Sequence, residues 1–185
     1  MVGSRVLSRI LFLGGALLLA KGSFAVYPFL FPGVGEVEVN ASSLPVASNK
    51  HFEAGSYLFR LSLPRQHATF DVVEGTTTQS LRKGPGHLKG SSMPGNAGNS
   101  VIAGHRDTHF RVLKDVAVGD EIRIDVGSQR YFYRIVDTRI VPPTDVSALR
   151  SNADSVLTLV TCYPFYFIGP APERFIVRAK AMDDR

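Results

Sequence analysis

The sequence predicts a mostly β fold, a largely antiparallel sheet that sandwiches or closes on itself, preceded by an N-terminal membrane segment. Three observations predict it. Seven short apolar runs are bounded by turn residues. The segments with helical signals are few and short. A chain of 185 residues with 44% hydrophobic and 20% charged residues suits one ordinary globular domain. That composition excludes disordered, collagen-like and multi-pass membrane classes.

The amino end, residues 1–34, begins with Arg5 and Arg9 and continues into an apolar run over residues 10–20, then Lys21, then a second apolar stretch over residues 24–34. This is an export signal. The first run is shorter than the ~20 residues a spanning helix needs, and the small residues Ser23 and Ala25 offer a cleavage site, so a cleaved signal peptide is one reading. Another, favoured over it, is an uncleaved single-span anchor, and a buried core helix is the third. Lys21 alone interrupts the apolar stretch, and its long stem can carry the charge to the interface beside Tyr27. Arg5 and Arg9 on the short side orient that end to the cytoplasm and the rest of the chain outside. Residues 35–50, rich in Gly, Ser, Pro and Asn without a sustained period, read as a linker, leaving residues 51–185 as the folded domain.

Within that domain the runs fall at residues 57–63, 68–73, 100–103, 121–126, 130–136, 156–161 and 174–179. Each alternates or is apolar throughout over four to seven residues, as strands do. Short helices are expected over residues 79–83, where the hydroxyls of Thr76 to Thr78 can cap, around residues 107–113, and after Asp145.

Charge and cysteine usage narrow the function. The net charge is +5, but Arg5, Arg9 and Lys21 lie in the apolar amino end, and the remaining eighteen basic residues face sixteen acidic ones. Residues 35–185 therefore lack the basic excess of a nucleic-acid footprint. The single cysteine, Cys162, excludes an intramolecular disulfide framework and a Cys-rich zinc or iron–sulfur site. Whatever Cys162 does, it does as a thiol.

Two segments carry chemistry. In one, a small apolar strand ends in Gly104 and delivers His105. In the other, Leu157-Thr-Leu-Val-Thr-Cys-Tyr-Pro164 is followed, after a Pro/Gly-rich loop, by Pro172-Glu-Arg174. If these last two strands pair as a hairpin, Cys162 at the end of one lies near Arg174 at the start of the other. Taken singly, His105 reads equally as a satisfied strand-end histidine, Cys162 as an inert buried thiol and Arg174 as a solvated strand residue. The combination favours chemistry, because Pro164 ends pairing just beyond the thiol and frees that strand end for solvent. A metal hydrolase using His105 and His109 is a rival, but no clear third ligand presents itself. An L,D-transpeptidase-type enzyme would show a Ser-His-Gly-Cys motif that is absent. A non-catalytic, membrane-anchored β-barrel binding module is the alternative from another class.

Several separated motifs, in order over residues 50–182, carry a resemblance. They are Lys83-Gly-Pro-Gly-His87, Met93-Pro-Gly95 with Gly98-Asn99, Val101-Ile-Ala-Gly-His-Arg-Asp107, Leu157-Thr-Leu-Val-Thr-Cys162 and Pro172-Glu-Arg174-Phe-Ile-Val177. The chain resembles the sortase family, most closely its class D. The resemblance implies an eight-stranded sortase-like β-barrel and a cysteine transpeptidase that cleaves an LPXTG-like sorting signal through a thioacyl intermediate. The acyl group passes to an amine on the cell envelope. It further implies His105, Cys162 and Arg174 as catalytic residues, with Thr161, His87 and Asn99 as candidate substrate-binding positions. The expected partner is a secreted protein with a C-terminal LPXTG-like motif; the amine acceptor is left open. The expected location is the bacterial cytoplasmic (inner) membrane, single-pass, with the catalytic domain extracytoplasmic. No cofactor is expected, and no Asp/Glu cluster argues for calcium. The sorting motif is expected to be chosen by loops near residues 84–98, 142–148 and 163–172.

Overall fold

The computed structural model describes residues 52–151, 153–166 and 168–182. The expected membrane segment and linker lie outside them. Among the described residues, no helix is long and apolar enough to cross a membrane.

Eight strands close into a barrel: β1 (Tyr57–Leu63), β2 (Ala68–Glu74), β3 (Gly86–His87), β4 (Gly98–Ala103), β5 (Glu121–Val126), β6 (Gln129–Val141), β7 (Ser155–Tyr163) and β8 (Glu173–Ala181). Around the barrel they run β1-β2-β3-β4-β7-β8-β6-β5, and β5 returns to β1. The seven expected strands are all present. The eighth, β3, is two residues long and inserts between β2 and β4. Its Gly86 is required by crowding, since a Cβ there would overlap the carbonyl oxygen of Gly75. The largely antiparallel sheet expected from the sequence holds with two exceptions, because β2–β3 and β4–β7 pair in parallel.

Alternation along each strand sorts side chains between the barrel interior and its outer surface. Phe59, Leu61, Ile102, Ile124, Leu159 and Val177 fill the interior, each fully buried. Burial of each such side chain contributes roughly 1.5–3 kcal/mol. The intervening residues of β7 and β8 point outward, where Val160 packs on a second, smaller cluster of Val141, Ala148 and Ile176. The interior is thus a packed core, and chemistry is left to the outer surface and the strand ends.

The helices are short, as expected. α1 (Thr78–Lys83) starts at Thr77, whose Oγ1 accepts the Ser80 N–H at 3.2 Å. A 3-10 segment over His109–Asp115 sends Phe110 and Leu113 into the core, and a single 3-10 turn spans Ser147–Leu149. The polar stretch between β1 and β2 forms another such turn, Pro64–Gln66, closed by His67 with φ 50. Its polarity has a partner. Arg65 Nη1 donates to Asp120 Oδ1 at 2.7 Å, while Gln66 Nε2 (2.9 Å) and the Ala117 N–H (3.0 Å) donate to Oδ2.

Candidate active site

Three segments far apart in the chain meet at one end of the barrel. β4 and β7 pair in parallel up to the rung Ala103↔Val160. The ladder continues beyond it: the Gly104 N–H donates to Val160 O at 3.0 Å, and Thr161 Oγ1 donates to Gly104 O at 2.7 Å. Carried one residue further, that register directs the backbone of His105 toward Cys162. On its other side Cys162 is the register partner of Arg174 on β8. Neighbouring strands lie about 5 Å apart, so the three backbones span roughly 10 Å.

The same alternation sets their face. Leu157 and Leu159 point into the core and Thr161 is buried with them, which leaves Cys162 on the outer surface, partly exposed. Val177 points inward, so Ile176 and Arg174 point outward. Counted from the buried Ile102, His105 falls on this outer side and is half-buried. The structure therefore pairs Cys162 with Arg174 on the outer surface, and the β4–β7 ladder leads toward them from the strand that precedes His105.

Each member is held from behind. Phe110 packs so closely on Gly104 that a Cβ there would lie 2.7 Å from the ring, and the Phe110 N–H donates to His105 O at 3.0 Å. Only glycine leaves room for the ring of Phe110, the residue whose N–H anchors the histidine's backbone. Beneath Cys162 and Arg174, the rings of Tyr163, Phe165 and Phe175 pack together, with Phe165 and Phe175 at 5.4 Å and 66°. The Arg174 guanidinium donates through Nη1 to Glu173 O (2.9 Å) and Ala171 O (3.3 Å). One edge of its fork is thereby fixed on its own backbone.

His109 lies close enough to feel His105. Burial pushes its imidazole below the ordinary 6.5, and repulsion from His105 lowers it further. Its ring meets Phe70 edge-on at 6.1 Å. Among the described residues no group of three His, Cys, Asp or Glu comes together as a metal site.

The three candidate substrate-binding positions are placed differently. Thr161 is buried on the inner face, its hydroxyl committed to Gly104. Asn99 sits at the far end of β4, with Nδ2 donating to Ala148 O and Arg150 O and Oδ1 accepting from Thr158. It ties the loop between β6 and β7 to the barrel. His87 is buried in β3 against Glu74 Oε2 (3.1 Å) and Ser91 Oγ (2.9 Å). A Ser–His–Glu chain suggests a second nucleophile, but the Ser91 hydroxyl already donates to Leu88 O and accepts the Val101 N–H. All three side chains brace strands and loops of the barrel, and of the three only Thr161 does so next to Cys162. Their polarity was legible in the sequence; their burial was not.

Comparison with known proteins identifies the family and the fold. The Sortase domain model matches residues 61–182, from β1 to the end of β8. Sortase D of Bacillus subtilis (strain 168) is 39% identical over 129 residues, covering 69% of this chain and 65% of its own length. Sortase A of Listeria monocytogenes is 25% identical over 130 residues, covering 68% of this chain and 58% of its own length. The chain thus spans less than two thirds of these relatives. Among solved structures, a Clostridium perfringens Sortase D5 transpeptidase superposes with a TM-score of 0.66 at 29% identity, covering 71% of this chain and 82% of that one. A lid mutant of Sortase A from Corynebacterium diphtheriae gives 0.67 at 31%, covering 74% and 75%. A domain match that runs the length of the barrel, joined to a relative of this identity, means that the chain belongs to the sortase family.

Proposed function

We propose that this chain is a cysteine transpeptidase that cleaves an LPXTG-like sorting signal near the C-terminus of a secreted protein and joins the new carboxyl end to an amine. The observation that carries the reading is the register pairing of Cys162 with Arg174 on the outer surface, with the parallel β4–β7 ladder leading toward them just before His105. The Cys162 thiolate attacks the scissile carbonyl carbon, and the carbonyl π electrons move onto oxygen. The Arg174 fork, with one nitrogen tied to its own backbone, presents its other donors to that oxyanion. As the intermediate collapses, the C–N bond breaks and His105 supplies the proton to the departing amine, leaving a thioester on Cys162. An acceptor amine then attacks the thioester, gives up a proton to His105 and releases the thiolate. Sulfur suits both halves, because it attacks well and leaves well.

The apolar amino end with Arg5 and Arg9 before it supports a single-pass tether in the cytoplasmic membrane, with the barrel outside. The similarity to Sortase D of Bacillus subtilis supports a class D-like enzyme.

The test is a cleavage assay on the full chain with an LPXTG-type peptide library, with and without an added amine. Wild type gives a thioester adduct on Cys162 by mass spectrometry and an amine-joined product, and Cys162→Ala gives neither. Cleavage that persists in Cys162→Ala, or a wild type that never forms the adduct with any library member, removes the reading.

A further inference from the structure

Arg106 follows His105 directly, yet its side chain leaves that segment and crosses to the connection between β7 and β8. Nη1 donates to Pro164 O at 3.1 Å and Nη2 donates to Gly169 O at 3.0 Å. Pro164 lies two residues past Cys162, and Gly169 five residues before Arg174. One guanidinium therefore grips both limbs of the loop whose ends carry the nucleophile and the arginine, while its own backbone adjoins the histidine.

The chemistry of the side chain suits the task. Both acceptors are main-chain carbonyls, and a planar fork with separated N–H groups can hold two such oxygens in one fixed geometry. An ammonium on a flexible stem reaches them only as a point donor. Gly169 has φ 104, a left-handed conformation that side chains rarely adopt, so the direction of its carbonyl is set by a residue chosen for that bend. The segments carrying His105, Cys162 and Arg174 come from three separate regions of sequence, and β-ladder hydrogen bonds stop at Tyr163 and restart at Glu173. Between those points Arg106 supplies a link that the sheet does not.

We infer that Arg106 is a positioning residue for acyl transfer, holding the β7–β8 connection so that Cys162 and Arg174 meet His105 in one alignment. The inference rests on the transpeptidase reading above. Arg106 touches no reacting atom in it. Its contribution is alignment, and misplacement of about 1 Å at a reacting centre can cost about 100-fold in rate.

The experiment compares wild type, R106K and R106Q in the full chain, by single-turnover formation of the Cys162 thioester with a peptide that wild type cleaves. Alkylation of Cys162 by iodoacetamide and the thermal unfolding midpoint are followed in parallel. R106K keeps the charge and the stem, which guards against simple misfolding. Expected are a fall in the acylation rate of about 10- to 100-fold in both variants, KM within about twofold, and alkylation within about twofold of wild type, because a small electrophile needs the thiol but not the alignment. An unchanged acylation rate, a rise in KM alone, or alkylation that falls in step with acylation each overturns the inference. A wild type that forms no thioester removes the transpeptidase reading and this inference together, whereas a working wild type with unaffected variants removes this inference alone.

Discussion

Cys162 and Arg174 are direct partners across β7 and β8, on the outer face of the barrel. Directly opposed residues in an antiparallel pair point the same way, with Cβ atoms about 5 Å apart. The sheet register thus sets the thiol and the guanidinium side by side; their alignment to His105 is the separate matter on which Arg106 bears.

Arg174→Lys is expected to lower kcat by about 100- to 1,000-fold, the cost of losing one oxyanion donor. Lysine keeps the charge but lacks the fork that lets Arg174 hold Glu173 O and still donate elsewhere. Steady-state cleavage kinetics measure it, and a variant that keeps most of the wild-type kcat would remove the oxyanion role.

Thr161→Val replaces a buried hydroxyl by a methyl of similar size and leaves Gly104 O without its donor. The expected loss is about 1–3 kcal/mol of stability, together with a reduced kcat because the bond fixes the rung next to His105. Thr161→Ser, which keeps the hydroxyl, should retain both within a few-fold. Urea unfolding and kinetics on the pair separate the hydroxyl from the methyl.

His109 should titrate below 6.5, because burial disfavours its charged form and His105 repels it. A folded value below the unfolded one means that protonation favours the unfolded chain. The associated penalty is absent above about 6.5 and grows as the pH falls through the folded midpoint. In His105→Gln the His109 midpoint should move up but stay below 6.5, since burial remains. The ring proton shifts in an NMR titration report it, and an unmoved midpoint would show that His105 exerts no such repulsion.

Asp120 supplies an acid-sensitive contact at a distance from the rung. Burial opposes its ionisation, but hydrogen bonds from Arg65, the Ala117 N–H and Gln66 outweigh it and hold the carboxyl below 3.8. Its stabilisation is present above the unfolded value of about 3.9 and is lost as the pH falls through the folded one. Asp120→Asn should therefore be less stable than wild type at pH 7, with the gap closing below about pH 4. Chemical denaturation at several pH values gives the comparison.

Much of the barrel was legible because alternation is a local property. The runs at residues 57–63 and 121–126 coincide with β1 and β5. β3 left no trace, since two residues, one of them Gly86, have no period to read. β6 continues to Val141, five residues past the run that ends at Val136. Its second half breaks the alternation, with Arg139 and Ile140 both exposed before buried Val141, and a bulge between Ile135 and Asp137 shifts the register. The hairpin geometry that pairs Cys162 with Arg174 followed from strand order. The parallel pairing that leads toward them from the strand before His105 did not, because a contact between residues so far apart is decided by how the barrel closes. Arg106 was visible only as the residue after the histidine, and nothing local shows which way a long side chain will reach.

β8 follows every other strand in the chain and is wedged between β6 and β7. A nascent chain emerging in order therefore displays its thiol before the guanidinium that completes the rung has been synthesised. Until residues 173–181 arrive, β6 and β7 both offer raw edges to other chains. A message cut short upstream of that strand yields an open, aggregation-prone sheet, and Cys162 gains its partner Arg174 only after the last strand has docked.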